Sequence, residues 1–133
     1  MKTILIVEDS RFLRVASGRV LAKAGYNILN AADGEDALRS AKENLPDLIL
    51  LDMLLPKLGG QQVLQALKSS PATAHIPVIV LSSLSQLNET RLMDDGAAAY
   101  FEKSRLESDS KWESLVIAVE TVLHRQKTEP AHR

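Results

Sequence analysis

Five short aliphatic runs, each followed by a stretch of helical period or a turn signal, constrain the fold of this chain more than any other feature. The runs lie near residues 3 to 8, 27 to 32, 47 to 52, 77 to 82 and 98 to 102. Ile4-Leu5-Ile6-Val7, Leu48-Ile49-Leu50-Leu51 and Val78-Ile79-Val80-Leu81 are continuous rather than alternating, the pattern of strands buried on both faces. Strands that alternate with amphipathic helices predict a parallel sheet with helices on both sides. The first helix is expected to begin after Ser10, a good N-cap, and to bury Leu13, Ala16, Val20 and Ala24 before Gly25 stops it. Gly18 within it costs roughly 1 kcal/mol against alanine, so close packing is expected there. Asp33-Gly34 turns the chain into a second helix with Ala37, Leu38, Ala41 and Leu45 inward, and Gly59-Gly60 leads to a third around Val63, Leu64 and Leu67. A fourth helix, about residues 86 to 95, has only a thin apolar stripe and is a candidate for movement. The last, about 110 to 126, puts Trp112, Leu115, Val116, Val119, Val122 and Leu123 on one face and Ile117 on the other.

With 133 residues, 45% of them hydrophobic, the chain suits one domain with a single core. That domain is expected over residues 1 to 127, with 128 to 133 a disordered tail or the start of a linker. The net charge is -1 and no block of Lys and Arg stands out, so no nucleic-acid partner is expected. There is no cysteine, hence neither disulfide nor thiolate metal site, and the N-terminus enters a strand without a charged leader. A cytoplasmic location is the expectation. The apolar runs are far short of the ~20 residues of a membrane span, so no membrane association is expected.

Two of the runs end in acids: Glu8-Asp9 after the first and Asp52 after the third. In open α/β sheets ligands sit outside the carboxyl ends of the strands. If the first and third strands are neighbours, three carboxylates converge there and repel one another unless a cation joins them, and oxygen ligands suit Mg²⁺. Ser82 ends the fourth run and Lys103 follows the fifth. Three acids, a hydroxyl and an ammonium fit a phosphoryl group: the metal and Lys103 neutralise its oxygens, Ser82 donates to another, and Asp52 is the in-line nucleophile that forms an acyl phosphate.

ILIVEDS, ADGEDAL, PDLILLDMLLPKLGG, PVIVLSS and GAAAYFEK occur in this order over residues 2 to 126. Together they resemble the response-regulator receiver domain of two-component signalling, of the single-domain chemotaxis-receiver kind. The resemblance implies a flavodoxin-like, doubly wound, five-stranded parallel sheet in the order 2-1-3-4-5 with five helices. It implies that Asp52 is the phosphorylated aspartate, and that Glu8, Asp9, Asp52 and the backbone carbonyl of Leu54 hold Mg²⁺, Asp9 directly and Glu8 through water. Ser82 looks like the switch hydroxyl, Lys103 like the family's lysine, and Tyr100 like the aromatic whose rotamer follows phosphorylation. Ser83 sits where a small residue keeps the phosphoryl pocket open, and Pro56 and Gly60 match the loop at its rim. The implied partners are a sensor histidine kinase or histidine phosphotransfer protein as donor, and a downstream protein bound through the fourth helix, fifth strand and last helix.

The sequence departs from the family pattern after Lys103, where the usual cis proline is replaced by Ser104. A cis non-proline bond costs about 2.5 to 4 kcal/mol, so a trans bond or a reshaped loop is expected. Leu54 and Leu84, two residues beyond Asp52 and Ser82, are apolar where polar side chains orient an attacking water, which implies slow self-dephosphorylation. Leu54 also disfavours an aspartyl phosphatase, which wants a second acid there. The histidines His75, His124 and His132 lack ligand spacing, and neither GxGxxG nor GxxxxGK[ST] occurs. The expectation is a signalling switch with limited self-phosphorylation and self-dephosphorylation, not a metabolic enzyme. Its alternatives are the N-terminal receiver of a longer regulator and a pseudo-receiver that binds partners without phosphorylation.

Overall fold

The computed structural model describes residues 1–53, 55, 57–82, 93–103 and 109–128, of which 109–111 and 126–128 by backbone alone. Five strands form one sheet: β1 (Thr3–Val7), β2 (Asn27–Ala31), β3 (Leu48–Asp52), β4 (Val78–Ser82) and β5 (Ala99–Glu102). Every pairing is parallel and the order is β2-β1-β3-β4-β5, the expected doubly wound topology. The central strands β3 and β4 are buried at every position. At the edge, β2 exposes Asn27 and Asn30, whose polar side chains suit a strand with one open side.

Strand periodicity divides the core in two. On one face Leu5, Val7, Ile49, Leu51, Val78 and Val80 pack against α2 (Gly34–Asn44) and α3 (Gly60–Ser69). On the other, Ile4, Ile6, Leu48, Leu50, Ile79 and Leu81 pack against α1 (Arg11–Lys23) and α4 (Asp109–Thr128). Full burial of each such side chain contributes about 1.5–3 kcal/mol. The stripe on α4 is the expected one: Leu115, Val119 and Val122 are buried, Trp112, Val116 and Leu123 pack at its margin, and Ile117 faces outward.

Two helical stripes differ from expectation. In α1 the buried residues are Ser17 and Leu21, while Leu13, Ala16 and Val20 are half-buried and Ala24 is exposed. A serine can occupy that face because its hydroxyl donates to the Leu13 carbonyl at 2.6 Å, satisfying the polar group that burial would orphan. The outward face of α1 carries exposed Phe12 and Val15. At the end of α2, Leu45 does not point inward. It takes the left-handed capping conformation, φ 46, and is exposed, so Ala37 and Ala41 cover the sheet with Leu38 at the margin. Nor is Gly18 demanded by crowding: a Cβ there would meet Ile28 and Ile6 at 3.6 and 3.9 Å. Of the five helices implied by the family, the fourth, expected at about 86 to 95, lies mostly outside the described residues, as do Ser83, Leu84 and Ser104.

Candidate functional site

The site forms where the strands end. Just beyond β1, Glu8 continues the ladder by donating its N–H to Ala31 O at 3.0 Å. The register sets Asp52 of β3 opposite Leu81 and Ser82 of β4 opposite Glu102, so Asp52, Ser82 and Lys103 arrive at the same edge as Glu8 and Asp9. Glu8, Asp52 and Ser82 are each 1% exposed, whereas Asp9 is open to solvent. Glu8, Asp9 and Asp52 each offer an oxygen within 4.8 Å of the others. The α1 cap is Ser10, whose Oγ accepts from Leu13 N at 3.3 Å, which leaves Asp9 at the carboxylate cluster rather than on the helix.

Lys103 joins the two buried acids. Its ammonium lies 2.9 Å from Glu8 Oε1 and 3.0 Å from Asp52 Oδ2. Burial alone lowers the pKa of this lysine, but hydrogen bonds and the charges of Glu8 and Asp52 outweigh it and raise the value above an ordinary lysine's. Glu8 moves from 4.5 to about 7, chiefly because it is buried, with the charge of Asp52 adding to the rise. Lys103 and the Ser10 N–H, which donates to Glu8 Oε2 at 3.1 Å, oppose that rise without cancelling it. Among the described residues, two buried acids and one exposed acid gather around Lys103 and present a set of hard oxygen donors. That chemistry fits a small divalent cation, Mg²⁺ among them.

Tyr100, on β5 beside Val80, is half-buried against the core on the α2 and α3 side. Leu54 and Pro56 lie outside the described residues. The loop around them is tied down at described positions. Gly60 N donates to Met53 O at 3.1 Å, and a Cβ on Gly60 would lie 2.5 Å from the Asp52 carbonyl oxygen. Lys57 adopts φ 69, a left-handed conformation that costs a residue with a side chain about 1–2 kcal/mol. Its ammonium is 3.4 Å from Asp33 Oδ2, with the side chains 60% and 20% exposed respectively. A pair so open to water contributes about 0–1 kcal/mol. Sequence reasoning passed over Lys57, Asp33 as its partner, and Arg14, which donates to the Glu8 carbonyl at 2.8 Å. The one signal available was a lysine, instead of a turn-former, directly after Pro56.

The model of the response regulator receiver domain matches residues 4–110. The chain belongs to this family. Among its relatives, a gliding motility regulatory protein of Myxococcus xanthus is 42% identical over 104 residues, which are 77% of this chain and 13% of that protein. The polar-differentiation response regulator DivK of Brucella anthropi is 34% identical over 103 residues, covering 77% of this chain and 84% of DivK. A solved response regulator receiver domain protein from Clostridium thermocellum superposes with a TM-score of 0.82 at 28% identity, over 96% of this chain and 98% of that one. This receiver domain therefore spans about an eighth of the Myxococcus relative and most of DivK. Among its described residues, no helix is long and apolar enough to cross a membrane.

Proposed function

We propose that this receiver domain is a phosphorylation-controlled switch in which Asp52 accepts a phosphoryl group from a phosphohistidine on a sensor kinase or phosphotransfer protein. The observation that carries this reading is the buried Asp52 carboxylate, paired with Lys103 at 3.0 Å and within 4.8 Å of Glu8 and Asp9. An Asp52 oxygen attacks phosphorus in line, the P–N bond breaks, and the imidazole leaves with the electron pair. Asp9, Asp52 and the Leu54 carbonyl would hold Mg²⁺, with Glu8 acting through water. The ion supplies charge neutralisation of the phosphoryl oxygens. On this reading Lys103 leaves its carboxylate partners for a phosphoryl oxygen, and Ser82, one strand away, donates to another. Phe12 and Val15, exposed on the first turns of α1 just after Asp9, offer the donor protein an apolar surface beside the acids.

Phosphorylation then draws Ser82 toward the phosphoryl group and Tyr100 inward, and biases a surface of β5, α4 and the helix expected at 86 to 95 toward binding a downstream protein. Such a population shift needs a coupling of about 1–3 kcal/mol. A receiver within a longer regulator is the second reading, favoured by the small share of the Myxococcus relative that the match covers. The length of the natural open reading frame separates the two. The sequence has Leu54 and Leu84 two positions beyond Asp52 and Ser82, residue types that cannot orient an attacking water, so the phosphorylated form should persist for minutes or longer in Mg²⁺ buffer without a phosphatase. Decay within seconds would contradict this. The test of the bond is chemical: an acyl phosphate formed from phosphoramidate and Mg²⁺ is released by neutral hydroxylamine, whereas a serine phosphate survives it. Hydroxylamine-resistant label would contradict the reading.

A further inference from the structure

The loop leading out of Asp52 is fastened at two places that have different physical character. At its far end the fastening is steric, because Gly60 sits against the Asp52 and Met53 backbone so tightly that a Cβ would lie 2.5 and 2.6 Å from it. In its middle the fastening is to α2. Asp33 divides its carboxylate between two tasks: Oδ1 accepts from Asp36 N at 2.8 Å and caps the helix, while Oδ2 faces the Lys57 ammonium at 3.4 Å. One residue on from each partner the chains touch, since a Cβ on Gly34 would lie 2.4 Å from the Leu58 carbonyl oxygen.

Glycine would adopt the left-handed conformation of residue 57 without strain. A solvent-exposed ion pair contributes less than the strain that Lys57 accepts, so stability does not account for a lysine at this position. Strain kept beside a functional loop points to positioning. We propose that Asp33 and Lys57 form a clasp that holds the loop after Asp52 in the conformation that binds the metal, making both of them positioning residues that touch no reacting atom. The proposal rests on the reading of Asp52 and its neighbours as the Mg²⁺ and phosphoryl site.

The test uses the full chain, with Mg²⁺ affinity read by calorimetry and folding by thermal melting. Lys57→Gly removes the ammonium and the backbone strain together. Asp33→Asn keeps a good N-cap but loses the charge. Each should weaken Mg²⁺ binding by roughly two- to fivefold, the range of an exposed ion pair, while Lys57→Gly melts no lower than the wild type. The double variant should bind no more weakly than either single one, and Lys57→Arg should retain most of the wild-type affinity. Equal Mg²⁺ affinity in the wild type and both single variants would overturn the clasp alone, as would additive losses in the double variant. A wild-type chain that binds no Mg²⁺ would overturn the site reading and the clasp with it.

Discussion

Burying one carboxylate beside another is unfavourable unless cations answer both, and Lys103 does not cancel the cost of burial at Glu8. Its folded-state pKa stands near 7 against 4.5 for the exposed group. Below about 4.5 the side chain is protonated whether the chain is folded or not. Between 4.5 and about 7 only the folded chain holds the proton, so stability falls as pH rises through that window and the loss is complete above it. The melting temperature of the metal-free protein, relative to Glu8→Gln, should therefore fall between pH 5 and 8; a flat difference would contradict the placement of Glu8. At Gly60 the constraint is steric. An added Cβ meets backbone of Asp52 and Met53, atoms that cannot step aside, so Gly60→Ala should cost about 1–3 kcal/mol in denaturant unfolding. A change within about 0.5 kcal/mol, as for an ordinary surface substitution, would show that the loop is looser than described. The acids at the site were legible because each terminates an aliphatic run. The bridging posture of Lys103 was not, since it depends on β5 ending at the same edge as β1 and β3.

Helices were read less well than strands, and the reason is local. A continuous aliphatic run such as Leu48–Leu51 has one physical solution, burial on both faces. A helix with apolar residues on several faces, such as α1 with Phe12, Leu13, Val15, Ala16, Val20 and Leu21, admits more than one inward stripe. Periodicity alone points to Leu13, Ala16, Val20 and Ala24, yet Ser17 is buried because its hydroxyl bonds its own helix at 2.6 Å. Leu45 was misplaced for a related reason: its apolar side chain fits the inward spacing, but the chain turns left-handed there to end α2. Gly18 gives an element-scale prediction. It lies inside a helix, and its Cβ position is at ordinary contact distance from Ile28 and Ile6. Gly18→Ala should therefore stabilise the protein by about 0.5–1 kcal/mol through the entropy of the unfolded chain, read as a raised denaturant midpoint. A lowered midpoint would mean that α1 packs closer to β1 and β2 than these distances show.

At the scale of the whole molecule, topology is what turns scattered residues into a site. Glu8, Asp52, Ser82 and Lys103 come from four different strand ends, and only the order β2-β1-β3-β4-β5 in parallel register gathers them at one edge. The same order separates two apolar layers, with α2 and α3 over one face of the sheet and α1 and α4 over the other. The role proposed for this architecture is to present Asp52 to a phosphoryl donor. Its most direct test is the intact mass of the chain after incubation with phosphoramidate and Mg²⁺, beside Asp52→Ala treated in the same way. One added phosphoryl group is expected on the wild type and none on the variant. An equal adduct on both, or none on a wild type that is folded and supplied with Mg²⁺, would contradict it.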